Sequence, residues 1–410
     1  MRILLAPHGT RGDVQPMLAL GLALRSRGHL VGFVAPDNCL NWISGLGFHC
    51  EPDGVDFEAT LQTPEARLQS WRWMIEQLRT VVTPRLFTSV ARAAAAWNPE
   101  LIVGSGVQVA ASSVAERRGI PSVGVVFAPC AIPSGDAPPP IVRRQTLPRF
   151  VNRALWRWGA PLADAALRGP INAGRAGLGL GSVARPTRML GGQKIIVASD
   201  RELGPFPSDA PTAAVATDAW ILDRADTLPP DLERFLDAGA PPVYLGLGSM
   251  VAGNAPALAA ISVAAARAVG CRLVIVGGWA RLDRTLVPSD IVMPVREAPH
   301  YALFPRVAGA IHHGGAGTTT AAARAGVPQL ILPHILDQYY WAQRVDTLGL
   351  GPAALPVERV TTERLIPRLR SLVDSTAFRD NTRALGKRVA GRNGIADAVA
   401  ILEKIVERRR

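Results

Sequence analysis

The sequence predicts an α/β protein made of two parallel-sheet units in tandem. Three observations carry this. Short apolar runs alternate with helical stretches in both halves, a proline-rich passage separates the halves, and 410 residues exceed what one ordinary core holds.

Residues 2–6 form an apolar run read as a buried strand. Gly9 to Gly12 supply a glycine-rich loop, and the periodicity over 16–27 predicts a helix that Gly28 stops. Residues 29–34 make the next strand. The order recurs with a strand at 101–104, a helix at 108–118 ended by Gly119, and a strand at 122–127. Strands joined through helices in this way pair in parallel. From 128 to 144, Pro133, Pro138, Pro139 and Pro140 disfavour regular structure and predict a mobile loop of the kind that covers ligands.

A strand follows at 194–198, and the prolines at 205, 207, 211, 229, 230, 241 and 242 then predict a stiff connection. The domain boundary is placed between Ile221 and Asp231, giving a first domain of residues 1–221 and a second of 222–390. In the second, strands are predicted at 243–247, 273–276, 307–311 and 329–332, with helices at 255–269 and 318–325. Near the terminus, Val399, Leu402, Ile405 and Val406 share one helical face that must be buried somewhere, and residues 391–410 are expected to form a helix packed back on the first domain.

Composition excludes several classes. No apolar run reaches the ~20 residues of a membrane-spanning helix, and no signal-peptide pattern leads the chain, so a cytoplasmic location is expected. The cysteines, Cys39, Cys50, Cys130 and Cys271, lack the spacing of a zinc or redox pair. The net charge of +12 is nearly all arginine, with lysine only at 194, 387 and 404, and it does not by itself imply a nucleic-acid partner. Residues 150–167 interleave Arg153, Trp156, Arg157 and Trp158 with apolar residues, which fits a mixed surface helix or a weak membrane-surface contact.

The most informative stretch is His312-His313-Gly314-Gly315-Ala316-Gly317-Thr318-Thr319-Thr320, between a strand and a helix. Its glycines let the backbone approach an anion, and a helix start presents free N–H groups with a positive dipole end. His313 and the hydroxyls of Thr318 and Thr319 add hydrogen bonds, so the stretch suits a diphosphate. Plain helix capping is the alternative. Adjacent histidines on extended backbone point apart, and neither a third ligand nor an Asp-x-Asp pair is spaced to hold a metal, so none is expected.

In Pro333-His334-Ile335-Leu336-Asp337-Gln338, a carboxylate and an amide supply the acceptors and donors a polyol requires, although Asp337 also suits an N-cap. Ser249, in Gly246-Leu247-Gly248-Ser249, follows a strand at the end where open parallel sheets bind ligands. Thr10, Arg11 and Asp13 occupy the equivalent loop of the first half. Asp13 is either a helix cap or a base facing a cleft.

Taken in order, Gly9-Thr10-Arg11-Gly12-Asp13-Val14-Gln15-Pro16, Gly246-Leu247-Gly248-Ser249-Met250, Leu303-Phe304-Pro305-Arg306, the histidine-glycine stretch and the Asp337-Gln338 segment resemble family 1 glycosyltransferases over nearly the whole chain. Within that family the chain is similar to bacterial antibiotic glycosyltransferases of the vancomycin group and to sterol glucosyltransferases. The resemblance implies a GT-B fold, two Rossmann-like domains with parallel sheets facing across a cleft.

It further implies inverting transfer of a sugar from a UDP- or dTDP-sugar to a hydroxyl of a small apolar acceptor, with no cofactor beyond the donor and Asp13 as general base. By the same resemblance Ser249, His313, Gly315, Gly317 and Thr318 hold the diphosphate, with Thr10 and Arg11 reaching the donor from the first domain. Asp337 and Gln338 hold the sugar, and Val295 meets the base. Gly314-Gly315-Ala316 departs from the Cys-Gly-Trp run common in plant members, so a plant-type acceptor is not implied. A sugar-nucleotide epimerase and an inactive binding partner are the competing readings. The loop after the first strand lacks the G-x-G-x-x-G of a dehydrogenase. A monomer and a homodimer both remain open.

Overall fold

The computed structural model describes residues 1–63, 71–189, 191–222, 227–251 and 253–408. It contains two parallel sheets. The first has strands β1 (Arg2–His8), β2 (Leu30–Ala35), β3 (His49–Pro52), β4 (Leu101–Gly106), β5 (Ser122–Val126), β6 (Lys194–Ala198) and β7 (Ala214–Thr217), in the order β3-β2-β1-β4-β5-β6-β7. The second has β8 (Val243–Gly246), β9 (Leu273–Val276), β10 (Val292–Val295), β11 (Gly309–His312) and β12 (Gln329–Ile331), in the order β10-β9-β8-β11-β12. All pairings are parallel, and the inner strands are buried on both faces because helices cover each side.

Several expectations need correction. The first helix begins at Arg11, not near residue 16, so Gly12 and Asp13 lie in its first turn and Pro16 lies inside it, as its sixth residue. The helix after β11 begins at Ala316 with Gly315 as N-cap, two residues before the expected start. The proline-rich passage is not all connection, because β7 within it completes the first sheet. Part of the predicted boundary, residues 223–226, lies outside the described residues. The loop from 128 to 144 is irregular as its prolines demand, yet it is packed: Ala128, Cys130 and Ala137 join Leu203, Tyr340, Trp341, Val345 and Leu385 in one apolar cluster.

That cluster seals the two sheet units against each other. Arg344 Nε donates to the Leu203 carbonyl at 2.8 Å, and Glu202 pairs with both Arg388 and Arg392. The last helix, Ile395–Glu407, crosses back to the first unit, where Ala398, Val399, Leu402 and Val406 pack with Val14, Met17 and Trp220. Glu403 accepts from Arg27 at 2.9 Å and meets His29 Nε2 at 2.9 Å.

Candidate functional site

Each sheet reverses its strand order once, between β1 and β4 in the first and between β8 and β11 in the second. In open parallel sheets the crevice beyond the carboxyl ends at such a switch point is where ligands bind. Asp13, Thr10 and Arg11 follow β1, Ser249 follows β8, and His313, Gly315, Gly317 and Thr318 follow β11, all at those crevices. Val295 ends the edge strand β10, and Asp337 and Gln338 follow β12.

Asp13 is the third residue of the Arg11–Ser26 helix, and its Oδ2 accepts from the Thr10 N–H at 2.9 Å, closing the helix start. Asp13 is thus not the cap of a helix starting near Pro16 but the N3 member of a capping box whose N-cap is Thr10. Two glycines admit it. A Cβ on Gly9 would overlap Asp13 Oδ2, and one on Gly106 would come within 3.1 Å of Oδ1 while overlapping the His8 carbonyl. Both have positive φ, 152° and 69°, which glycine alone adopts without strain. Burial pushes the Asp13 carboxyl up to about 7, and the charge of Asp337 adds to the rise. Asp337 of the second unit is thus near enough for its charge to act on Asp13 of the first. Arg11, stacked over Trp42 at 5.0 Å, likewise acts on Tyr244 and His300 of the second unit.

On the second sheet the two histidines take different parts. His312 is fully buried, with Nε2 2.9 Å from Gln329 Oε1 and Nδ1 accepting from the Gly314 N–H at 3.1 Å, so it ties the loop to β12. His313 points the other way and lies between two glycines. A Cβ on Gly248 would sit 2.9 Å from its Cε1, and one on Gly315 would overlap its Nε2. Burial pushes the His313 imidazole well down, so it is neutral, and its Nδ1 has no partner. It can serve a diphosphate as a hydrogen-bonding group but brings no positive charge. Among the described residues no cluster of three or more His, Cys, Asp or Glu side chains could hold a metal ion.

The helix Ala316–Arg324 opens beside His313, with Gly317 exposed and Thr318 half-buried. Thr319 differs from expectation: its hydroxyl donates to the Gly315 carbonyl at 2.9 Å and is spent inside the helix. Asp337 Oδ2 accepts from Trp341 Nε1 at 3.1 Å, and burial pushes its carboxyl up to about 6. Gln338 is buried, with Oε1 accepting from the N–H groups of His334 at 2.7 Å and Ile335 at 3.1 Å. Its Nε2 reaches Met250 Sδ at 3.2 Å, so Gln338 shapes the loop and joins it to the β8 loop beside Ser249. The aromatic run Tyr339-Tyr340-Trp341 is core, with Trp341 fully buried.

Sequence reasoning missed a buried hydrogen-bonded pair at the end of β1. His8 Nδ1 lies 2.6 Å from Asp53 Oδ2, both residues are buried, and His8 Nε2 is unpartnered. No local signal joins residues 45 positions apart. The parallel order β3-β2-β1 brings them together.

Residues 3–130 match the glycosyltransferase family 28 N-terminal domain, and residues 265–405 match the C-terminal domain described as erythromycin biosynthesis protein CIII-like. Glycosyltransferase GtfE of Amycolatopsis orientalis is 37% identical over 403 residues, covering 95% of this chain and 93% of that protein. The vancomycin aglycone glucosyltransferase of the same organism is 36% identical over 424 residues, covering 100% of this chain and 99% of that one. Among solved structures, glycosyltransferase VinC in complex with dTDP superposes with a TM-score of 0.71 at 23% identity, covering 100% of both chains. Glycosyltransferase SnogD from Streptomyces nogalater gives 0.69 at 21%, covering 99% of each. With the fold and nearly full-length identity in agreement, this chain belongs to the family 1 GT-B glycosyltransferases, with the vancomycin-group enzymes among its relatives, and is a glycosyltransferase of the hexosyltransferase type.

Proposed function

We propose that the enzyme moves a sugar from a dTDP- or UDP-sugar to a hydroxyl of a small apolar natural product, with inversion at the anomeric carbon. The observation that carries this reading is the Asp13 carboxylate, held by the Thr10 N–H in the first turn of the helix after β1 and pushed up to about 7, where a base works at neutral pH. The names of relatives support the donor and acceptor classes: VinC was solved with dTDP, and one relative from Streptomyces fradiae is an O-mycaminosyltylonolide 6-deoxyallosyltransferase.

In the proposed step the acceptor O–H gives its proton to Asp13 while the oxygen attacks the anomeric carbon. The bond from that carbon to the diphosphate oxygen breaks on the opposite face, and the nucleoside diphosphate departs with the electron pair. Free N–H groups at the start of the Ala316–Arg324 helix, the Thr318 hydroxyl and neutral His313 receive the growing negative charge. Thr10, Arg11, Ser249, Gly315 and Gly317 frame the diphosphate, Val295 lies toward the base, and Asp337 accepts from sugar hydroxyls. Nucleotide sugar is the cosubstrate, and no other cofactor enters the scheme.

Thermal stabilisation by dTDP, UDP, GDP and NAD tests the donor. A nucleotide at ~100 times its Kd adds about 2.7 kcal/mol. A selective response to dTDP or UDP is expected, and a response to NAD alone removes the reading. With the responding donor class, Asp13→Asn should lower transfer about 10²- to 10⁴-fold while sparing nucleotide binding. Turnover near the wild-type rate would take Asp13 out of the mechanism.

A further inference from the structure

The long helix Arg149–Gly177 carries large apolar side chains that the fold leaves uncovered. Phe150, Trp158 and Leu162 are 73%, 72% and 74% exposed. At 3.6 residues per turn, these positions share about a third of the helix circumference. Three large apolar side chains exposed on one side of a helix mark an interaction surface, whereas a single exposed leucine would not.

Next to the stripe, a cavity of about 640 Å³ opens between this helix and residues 184–188, with Arg157, Arg168, Arg185 and Arg188 in its wall. Its one carboxylate is already committed: Asp164 Oδ1 accepts from the Thr187 N–H at 2.9 Å and from the Thr187 hydroxyl at 2.7 Å. Arg168 donates to the Ala184 carbonyl at 3.1 Å. Elsewhere on the same helix, Arg149, Arg153 and Arg175 are ion-paired with Asp136, Asp209 and Glu116. Among the described residues no carboxylate pairs with Arg157, Arg185 or Arg188. Unpaired guanidinium groups converging on a concavity of ligand size suit a phosphate, which their planar forks grip with two hydrogen bonds.

We propose that this face docks on an anionic lipid bilayer. Phe150, Trp158 and Leu162 enter the boundary between headgroups and acyl chains, and a lipid phosphate sits among the cavity arginines. Charge decides between occupants. A second copy of the chain would set arginine against arginine, and a neutral apolar partner would strip water from the guanidinium groups and return nothing. An anionic surface meets both features at once, and the net charge of +12 adds long-range attraction to it. The contact is peripheral, since no described helix is long and apolar enough to cross a membrane. It does not depend on the transfer reaction.

Sedimentation of the full chain with phosphatidylcholine vesicles, with and without phosphatidylglycerol, tests this. Binding is expected only with phosphatidylglycerol present and is released by high salt. The triple variant Phe150→Ser, Trp158→Ser, Leu162→Ser and the triple variant Arg157→Gln, Arg185→Gln, Arg188→Gln should keep the wild-type melting temperature and lose binding. At about fivefold per arginine, the second loses on the order of a hundredfold. Failure of the wild type to sediment with phosphatidylglycerol overturns the proposal, as does sedimentation unchanged in both variants. Wild-type dimers that the serine variant dissociates would assign the stripe to self-association instead. Glycerol phosphate bound through Arg157, Arg185 and Arg188 without vesicle binding would assign the cavity to a free phosphate. Either result overturns the bilayer.

Discussion

Asp13 and Asp337 are two buried carboxyls, one in each unit, one pushed up to about 7 and the other to about 6. As a base, Asp13 works only when ionised, so kcat/KM should rise with pH and reach half its plateau near 7. Removing the negative charge of Asp337 takes away one of the influences that raise Asp13. In Asp337→Asn the rising limb should therefore move to lower pH, alongside weaker donor binding. An unmoved limb would show that the pair does not titrate together. Stability follows the same shift: the folded state holds the Asp13 proton more tightly than the unfolded chain, so wild type loses stability as pH rises from about 4 to about 7. Asp13→Asn should show a smaller loss in melting curves, the part that Asp337 contributes between about 4 and about 6 remaining. Asp13 and His313 were legible in the sequence because each sits within a few residues of a strand end and a glycine, and Asp337 because it follows a strand end with an amide beside it. His8 with Asp53 was not, nor was the engagement of Gln338 with backbone N–H groups, because those partners are fixed only by strand order and loop path.

The loop between β12 and the helix Gln338–Thr347 turns through Leu336, whose φ is +52°. For a residue with a branched side chain this left-handed backbone costs about 1–2 kcal/mol. Such strain persists where the surroundings over-determine it, here by the two backbone N–H bonds to Gln338 on one side and the buried Trp341 on the other. Leu336 is partly exposed, so Leu336→Asn should forfeit little burial and stabilise the fold by about 1 kcal/mol. Denaturant midpoints check this, and a lower midpoint would mean that the leucine packing outweighs the strain. Continuous apolar runs made β1, β8 and β9 legible, and a helical period did so for Ala255–Val269. β3, β7 and β10 escaped, being four-residue strands at or near sheet edges, where His49-Cys50-Glu51-Pro52 and Val292-Met293-Pro294-Val295 carry too little alternation. The full extent of Arg149–Gly177 was hidden by Pro161 and Pro170, which the helix absorbs internally.

At the scale of the molecule, the last helix makes the first unit's core depend on residues far along the chain. Leu402 is fully buried among side chains from the first helix, and Gly394, where the chain enters that helix, donates its N–H to the Ala219 carbonyl at 3.1 Å. A Cβ on Gly394 would overlap the Asp218 backbone, so the crossing passes tightly against the end of the first unit. The two units also share the Trp341 cluster and the pairing of Glu202 with Arg388 and Arg392. The amphipathic face of the terminal helix was legible, but its packing surface was not readable from the pattern itself, because an apolar stripe does not name its partner. Leu402→Ala should cost about 2–5 kcal/mol, the range for emptying a well-packed leucine site. Because the lost contacts belong to the first unit, calorimetry should show that unit melting earlier, while added dTDP still raises the melting of the second. A second unit that falls by the same amount would show that the interface couples the two into one cooperative block.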